Sequence, residues 1–237
     1  MKKEFKETVT LLRSVPSLIV VMYVVSVIMM NLFANKEMFT TNYLALDCGY
    51  IMSWFAFFAQ DVICKHFGAK ASIKITAIAL LFNLFMCIIY RVVACTSGNW
   101  GEYYTLNSET ANLALNNTFC GSWYILLGSS LAMLVSSIVN SITNKLIGGK
   151  LANTHYKHFA IRSFASTMIG QLVDNLVFGF VVSTVLFGWS IMQVITCGAL
   201  AAIIELLGEV IISPLGYKLC KSWEAENVGL DYKNMLT

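Results

Sequence analysis

An apolar stretch at residues 166–180, STMIGQLVDNLVFGF, is interrupted by Gln171, Asp174 and Asn175. On a helix, positions three and four apart share a face, so Ser163, Thr167, Gly170, Gln171, Asp174 and Phe178 form one stripe. Further along, Glu205 and Glu209 stand one turn apart with Gly208 beside them, and Gln60, Asp61, Asn83 and Asn31 interrupt other apolar runs. Ionised carboxylates only accept hydrogen bonds, whereas amides both donate and accept. Together they suit a flat heterocycle carrying several N–H donors and carbonyl acceptors, or a small cation. Phe82, Phe85, Phe178, Phe180, Trp123 and Tyr124 are candidate stacking walls. Asp174, Gln171 and Glu205 lead this set, followed by Glu209. For the others a structural role competes: Asn83, Ser137 and Asn140 suit interhelical hydrogen bonding, and Asp61, four residues before Lys65, suits an interfacial ion pair.

The elements that must position these groups follow from composition. The 237 residues are 57% hydrophobic and 12% charged, against roughly 25% charged in a soluble domain. A helix that crosses a bilayer needs about 20 mostly apolar residues, and six such runs are found, at approximately 15–34, 49–64, 73–94, 121–142, 159–187 and 190–217. The expected fold is therefore all-α, a bundle of six transmembrane helices filling residues 1–237 as a single integral membrane domain. Acidic residues at a helix centre cost about 2.5–3.5 kcal/mol each to insert, so four carboxylates approach roughly 10 kcal/mol against insertion. Lys36 and Arg91 lie towards one end of their runs and Lys65 and Arg162 towards the other. The carboxylates must accordingly be protonated, hydrated in a cavity or neutralised by whatever binds.

Lysine and arginine also predict orientation, because cytoplasmic loops are enriched in both. With both termini inside, Lys2, Lys3, Lys6, Lys70, Lys74, Lys145, Lys150, Lys157 and Lys218 are all cytoplasmic. The net charge of +3 is then a consequence of topology, and no nucleic-acid partner is needed to account for it. The first segment, MKKEFKETVTLLR, lacks a small-residue cleavage site and is read as leading into a retained helix.

Seven cysteines show no C-x-x-C and no Cys/His cluster at metal-ligand spacing. Most are small buried hydrophobes in this reading, with Cys95 and Cys120 flanking one outer loop as a candidate disulfide. Asn116-Asn117-Thr118 is a formal glycosylation acceptor. Residues 36–47 suit an outer hairpin or re-entrant dip, and the middle of 95–118 suits a short surface helix. H-E-x-x-H and G-x-S-x-G are absent from the sequence, and His66, His155 and His158 fall in polar stretches, which argues against an intramembrane enzyme. The pattern asks for no cofactor and no metal.

Three segments carry a resemblance to a known family: Asn31 with Lys36, the stretch DVICKHFG at 61–68, and RSFASTMIGQLVDNLVF at 162–178, together with a carboxylate-bearing last helix containing Pro214. The chain resembles the queuosine precursor transporter family, six-helix integral membrane proteins, over nearly its whole length. It departs from that pattern at Asn175, where the family usually has Thr, and at Ser137 and Asn140, where it usually has Gln and Asp. It also has no lysine near Glu205. The resemblance implies a multi-pass protein of the inner (plasma) membrane importing a 7-deazaguanine base (preQ0, preQ1 or queuine) for tRNA modification. It implies Asp174 on the base edge, Gln171 or Asn83 on the carbonyl and Glu205 or Glu209 on an amine. Asn31, Asp61 and Phe178 complete the candidate set. The expected partners are a nucleobase and membrane lipid, and Gly170 and Gly179 permit close packing within a protomer or across a homodimer. The alternatives are the substrate-binding component of an energy-coupling-factor vitamin transporter, or a scaffold or channel.

Overall fold

Pro16 carries no backbone N–H and fixes φ, so a helix cannot run through it smoothly. In this computed structural model, which describes residues 2–148 and 156–236, α1 (Lys2–Ser14) stops just before it and α2 (Ser17–Phe33) leaves at 104° to α1. Strands β1 (Glu37–Thr40) and β2 (Ala45–Asp47) then form an antiparallel hairpin pairing Glu37 with Asp47, Phe39 with Leu46 and Thr40 with Ala45. Helix α3 (Tyr50–Phe67) ends at Gly68, whose φ of 91° is open to glycine at little steric cost. That turn starts α4 (Ala69–Ala94).

After α5 (Gly101–Leu106), α6 (Glu109–Gly148) runs back along the bundle. Helix α7 (Tyr156–Phe178) passes into a π-helical turn at Gly179–Ser183 and the single turn α8 (Thr184–Leu186). Helix α9 (Ile191–Ala225) opens with a capping box in which the Ser190 side chain accepts from the Gln193 N–H while the Gln193 side chain accepts from the Ser190 N–H. The short α10 (Leu230–Leu236) packs on α1.

The long helices close a ring in the order α2, α3, α9, α7, α6, α4 and back to α2, with every neighbouring pair in contact. Tyr23 on α2 shares a buried 2.8 Å hydrogen bond with Thr76 on α4. The main core gathers Leu11, Ile19, Ile63, Ile75, Trp223 and Tyr232, where α1 and α10 cover one end of the bundle. That end carries Lys65, Lys70 and Lys74 and is called the basic end below; the hairpin marks the other. Large apolar side chains such as Leu18, Leu81, Leu131 and Ile211 are exposed around the outside, as expected of a protein whose solvent there is lipid.

Four helices among the described residues are long and apolar enough to cross a membrane, and α1 with α2 makes a fifth span if the bent pair is counted as one. The sixth expected run, α3, is a full helix, but Gln60, Asp61, Lys65 and His66 lower its hydropathy because this helix faces the interior polar groups. Helix α6 begins at Glu109, well before the expected 121, since Asn112 and Asn116 face inward to accept hydrogen bonds from the Trp100 backbone N–H and its indole Nε1. The formal glycosylation acceptor Asn116 therefore lies within a helix rather than a loop. Cys95 and Cys120 are both free thiols and not a disulfide.

The hairpin expected at 36–47 is present, docked on the start of α9. Trp189 Nε1 donates to Glu37 Oε1 at 2.7 Å, Gln193 Nε2 donates to the Thr41 carbonyl at 2.9 Å, and the Ala45 N–H meets Cys197 Sγ at 2.9 Å. Thr196 Oγ1 donates to the Tyr43 carbonyl.

Candidate functional site

Where α3, α7 and α9 meet, with α6 and the start of α4 as further walls, the bundle holds a partly open cavity of about 120 Å³. At some 10–15 Å³ per water position, this is room for roughly eight to twelve waters, far more than an ion needs. Its α7 wall is Thr167, Gly170, Gln171 and Asp174, and its α9 wall is Glu205, Glu209 and Ser213. Of the stripe read from helical spacing, Thr167, Gly170, Gln171 and Asp174 thus face the interior. Gly170 lets α6 approach, since a Cβ there would lie 3.1 Å from Asn140 Cβ, and Gly179 does the same against Val194 at 2.8 Å. Both glycines serve packing inside the protomer.

Each carboxylate has its own compensation. Ser136 Oγ donates to Asp174 Oδ1 at 2.8 Å. The sequence pointed to the adjacent Ser137, whose side chain, like that of Ser163, lies outside the described residues. Glu205, only 4% exposed, accepts at Oε2 from Asn175 Nδ2 at 2.9 Å, and the same Nδ2 donates to the Gln171 carbonyl at 2.9 Å. Tyr50 donates its hydroxyl to Asn175 Oδ1 at 3.3 Å. Asp61 pairs with Lys65 at 2.7 Å, and Lys65 Nζ also lies 3.8 Å from Glu209 Oε1.

The interfacial ion pair therefore exists, and it lines the cavity. Lys65 is the group that spacing alone placed outside the site. It neutralises charge from α3, where none was found near Glu205 on α9. Gln171 also lines the cavity; it is 4% exposed and its buried Oε1 has no hydrogen-bond partner among the described residues.

Other expectations are corrected. Asn83 and Asn31 are buried, at 1% and 4% exposure, but neither lines the cavity, and the Nδ2 of each has no hydrogen-bond partner among the described residues. Phe178 lines a second, smaller cavity. The expected stacking rings Phe82, Phe85, Trp123 and Phe180 are exposed on the outer surface, because an aromatic ring on a lipid-facing stripe needs no interior partner. Tyr124 donates its hydroxyl to the Val181 carbonyl at 2.7 Å. The aromatic residues that line the cavity are instead Trp54, itself 37% exposed, with Phe57 and Phe58 on α3. Trp54 lies against Gly208, where a Cβ would come within 2.8 Å of the indole. With Asp61 and Lys65 these rings follow a three-and-four spacing that was readable in the sequence, had α3 been weighed for its aromatic residues as well as its polar ones.

A ring of apolar helices around an acid-lined interior cavity defines a multi-pass membrane protein. Residues 47–219 match the model of the family described as "Putative vitamin uptake transporter", and the chain belongs to that family. Comparison with curated proteins and with solved structures finds no match.

Proposed function

We propose that the protein imports a queuosine precursor, a 7-deazaguanine base, across the inner (plasma) membrane. The observation that carries this reading is the composition of one cavity: two carboxylates, the half-buried Asp174 and the buried Glu205, beside the Gln171 amide and lined also by Trp54 and Phe57. A guanine-like edge offers N1–H and an exocyclic amine, which one carboxylate accepts together. Asp174, steadied by Ser136, is assigned that edge. The Gln171 amide N–H pairs the ring carbonyl, Glu205 accepts from the aminomethyl group of preQ1 or the secondary amine of queuine, and Trp54 stacks on the bicycle. Glu209 and Asp61, tied to Lys65, set the local charge. Membership of a small-molecule uptake family supports transport, and the basic residues at the α3–α4 turn support placing that end in the cytoplasm.

The test is thermal stabilisation of the purified protein by preQ0, preQ1, queuine, guanine, biotin, thiamine and riboflavin, with Asp174→Asn in parallel. A selective shift with a 7-deazaguanine that disappears in Asp174→Asn is expected. Stabilisation by a vitamin alone, or an Asp174→Asn variant that keeps full affinity for the base, contradicts the assignment. In the vitamin case, co-purification with a coupling subunit and ATPases identifies an energy-coupling-factor component.

A further inference from the structure

A second cavity of about 20 Å³, room for one or two waters, lies towards the hairpin between the same three helices. Each helix lines both spaces in sequence order. On α3 Tyr50 faces the small cavity and Trp54 the large one. On α7 Asn175 faces the small cavity, Asp174 and Gln171 the large one. On α9 Cys197 and Ala201 face the small cavity and Glu205 the large one. The two spaces are therefore stacked along the bundle axis. What separates them is the hydrogen-bonded layer of Tyr50, Asn175 and Glu205. The hairpin residues Leu46 and Asp47, with Trp189, line the small space on its far side.

We infer that the Tyr50–Asn175–Glu205 layer is the gate that closes the large cavity towards the hairpin end, with Asn175 as the residue that positions it. The inference rests on the reading of the large cavity as a substrate site, and adds how that site is opened. Two further features fit a gate. Immediately beyond Asn175 the α-helix gives way to the π turn Gly179–Ser183, a local irregularity often found at functional sites. Within it Ser183 Oγ is buried with no hydrogen-bond partner among the described residues, and Tyr124 holds the Val181 carbonyl. In addition, Glu205 belongs both to the gate and to the ligand wall. A ligand amine that takes Glu205 competes with Asn175 Nδ2 for the same carboxylate, so occupancy loosens the layer from below.

Two native thiols report on the two spaces: Cys197 lines the small cavity and Cys64 the large one. The experiment reconstitutes the full-length protein in oriented proteoliposomes with Cys64 as the sole cysteine. It then measures modification by a membrane-impermeant trimethylammonium methanethiosulfonate added from the hairpin side, without any ligand. The layer intact, reaction at Cys64 is slow. Asn175→Ala, and separately Tyr50→Phe, are expected to accelerate it at least tenfold from that side while leaving the rate from the basic side within twofold. A Cys197-only variant, carrying the same substitutions, controls for general loosening and is expected to change less than Cys64. Unchanged Cys64 rates in both variants, or equal acceleration from both sides, overturn the gate. Because no ligand is present, failure of the 7-deazaguanine assignment leaves this result readable, and a failed gate leaves the binding series readable.

Discussion

Asp174 and Glu205 are held by different partners, and the difference sets what each can offer a ligand. Ser136 on α6 donates to Asp174 Oδ1 and Asn175 on α7 donates to Glu205 Oε2; each carboxylate keeps further acceptor sites, but in the proposed reading only a ligand amine at Glu205 shares its carboxylate with the Tyr50–Asn175–Glu205 layer. Lys65 balances the remaining acids. Lys65→Met removes the ammonium that lies 2.7 Å from Asp61 and 3.8 Å from Glu209, and removing one partner of a buried pair costs about 3–5 kcal/mol. With a fifth of the lysine side chain exposed, the expected loss is about 2–3 kcal/mol, read as a lower melting temperature in detergent. Adding Asp61→Asn recovers part of it, and an unchanged melting temperature in the single variant contradicts the pairing. The acids themselves were legible in the sequence because charge inside an apolar run stands out. Ser136, Tyr50 and Lys65 were not, because a hydroxyl is unremarkable in a membrane helix and a lysine near a helix end reads as an interfacial anchor. Only the meeting of α3 with α7 and α9 brings them to the acids.

Among the elements, α3 and α9 depend on one close approach. Gly208→Ala places a Cβ 2.8 Å from the rigid Trp54 indole, so the ring or the helix must move, at about 1–3 kcal/mol. Gly216→Ala on the same helix meets Val62 and Phe58 at ordinary distances of 3.4 and 3.5 Å. The first variant is expected to lose stability and ligand affinity together and the second to be near neutral, as thermal melts with and without ligand would show. Equal effects would mean that Trp54 is not seated by Gly208.

At the basic end, Glu4 and Glu7 on α1 grip Lys70 and Lys74 at 2.8–3.3 Å. Lys74 then Lys70 hold Glu4 below the ordinary value of 4.5, and Lys70 then Lys74 do the same for Glu7. A depressed carboxyl stabilises above its unfolded value and loses that contribution as pH falls through the folded one. Protease protection of α1 is therefore expected to hold from neutrality to about pH 5 and to fall below pH 4.5; protection unchanged down to pH 3 would show that these pairs do not dock α1. The turn at Pro16 was readable in the sequence, but the docking of α1 and α10 was not, since it joins residues at opposite ends of the chain.

For the whole molecule, the apolar runs specified a helical bundle because the bilayer admits few other spanning structures. The order of the ring, and with it the shared axis of the two cavities, follows from packing that hydropathy does not encode. The account requires that this axis be a path. The most direct measurement is uptake of radiolabelled queuine into proteoliposomes containing the purified protein, against unlabelled preQ0, preQ1 and guanine as competitors and with Asp174→Asn in parallel. Saturable accumulation, competed by the 7-deazaguanines and reduced at least tenfold in Asp174→Asn, is the predicted result. No uptake above empty liposomes, or uptake that Asp174→Asn supports equally well, would contradict the account.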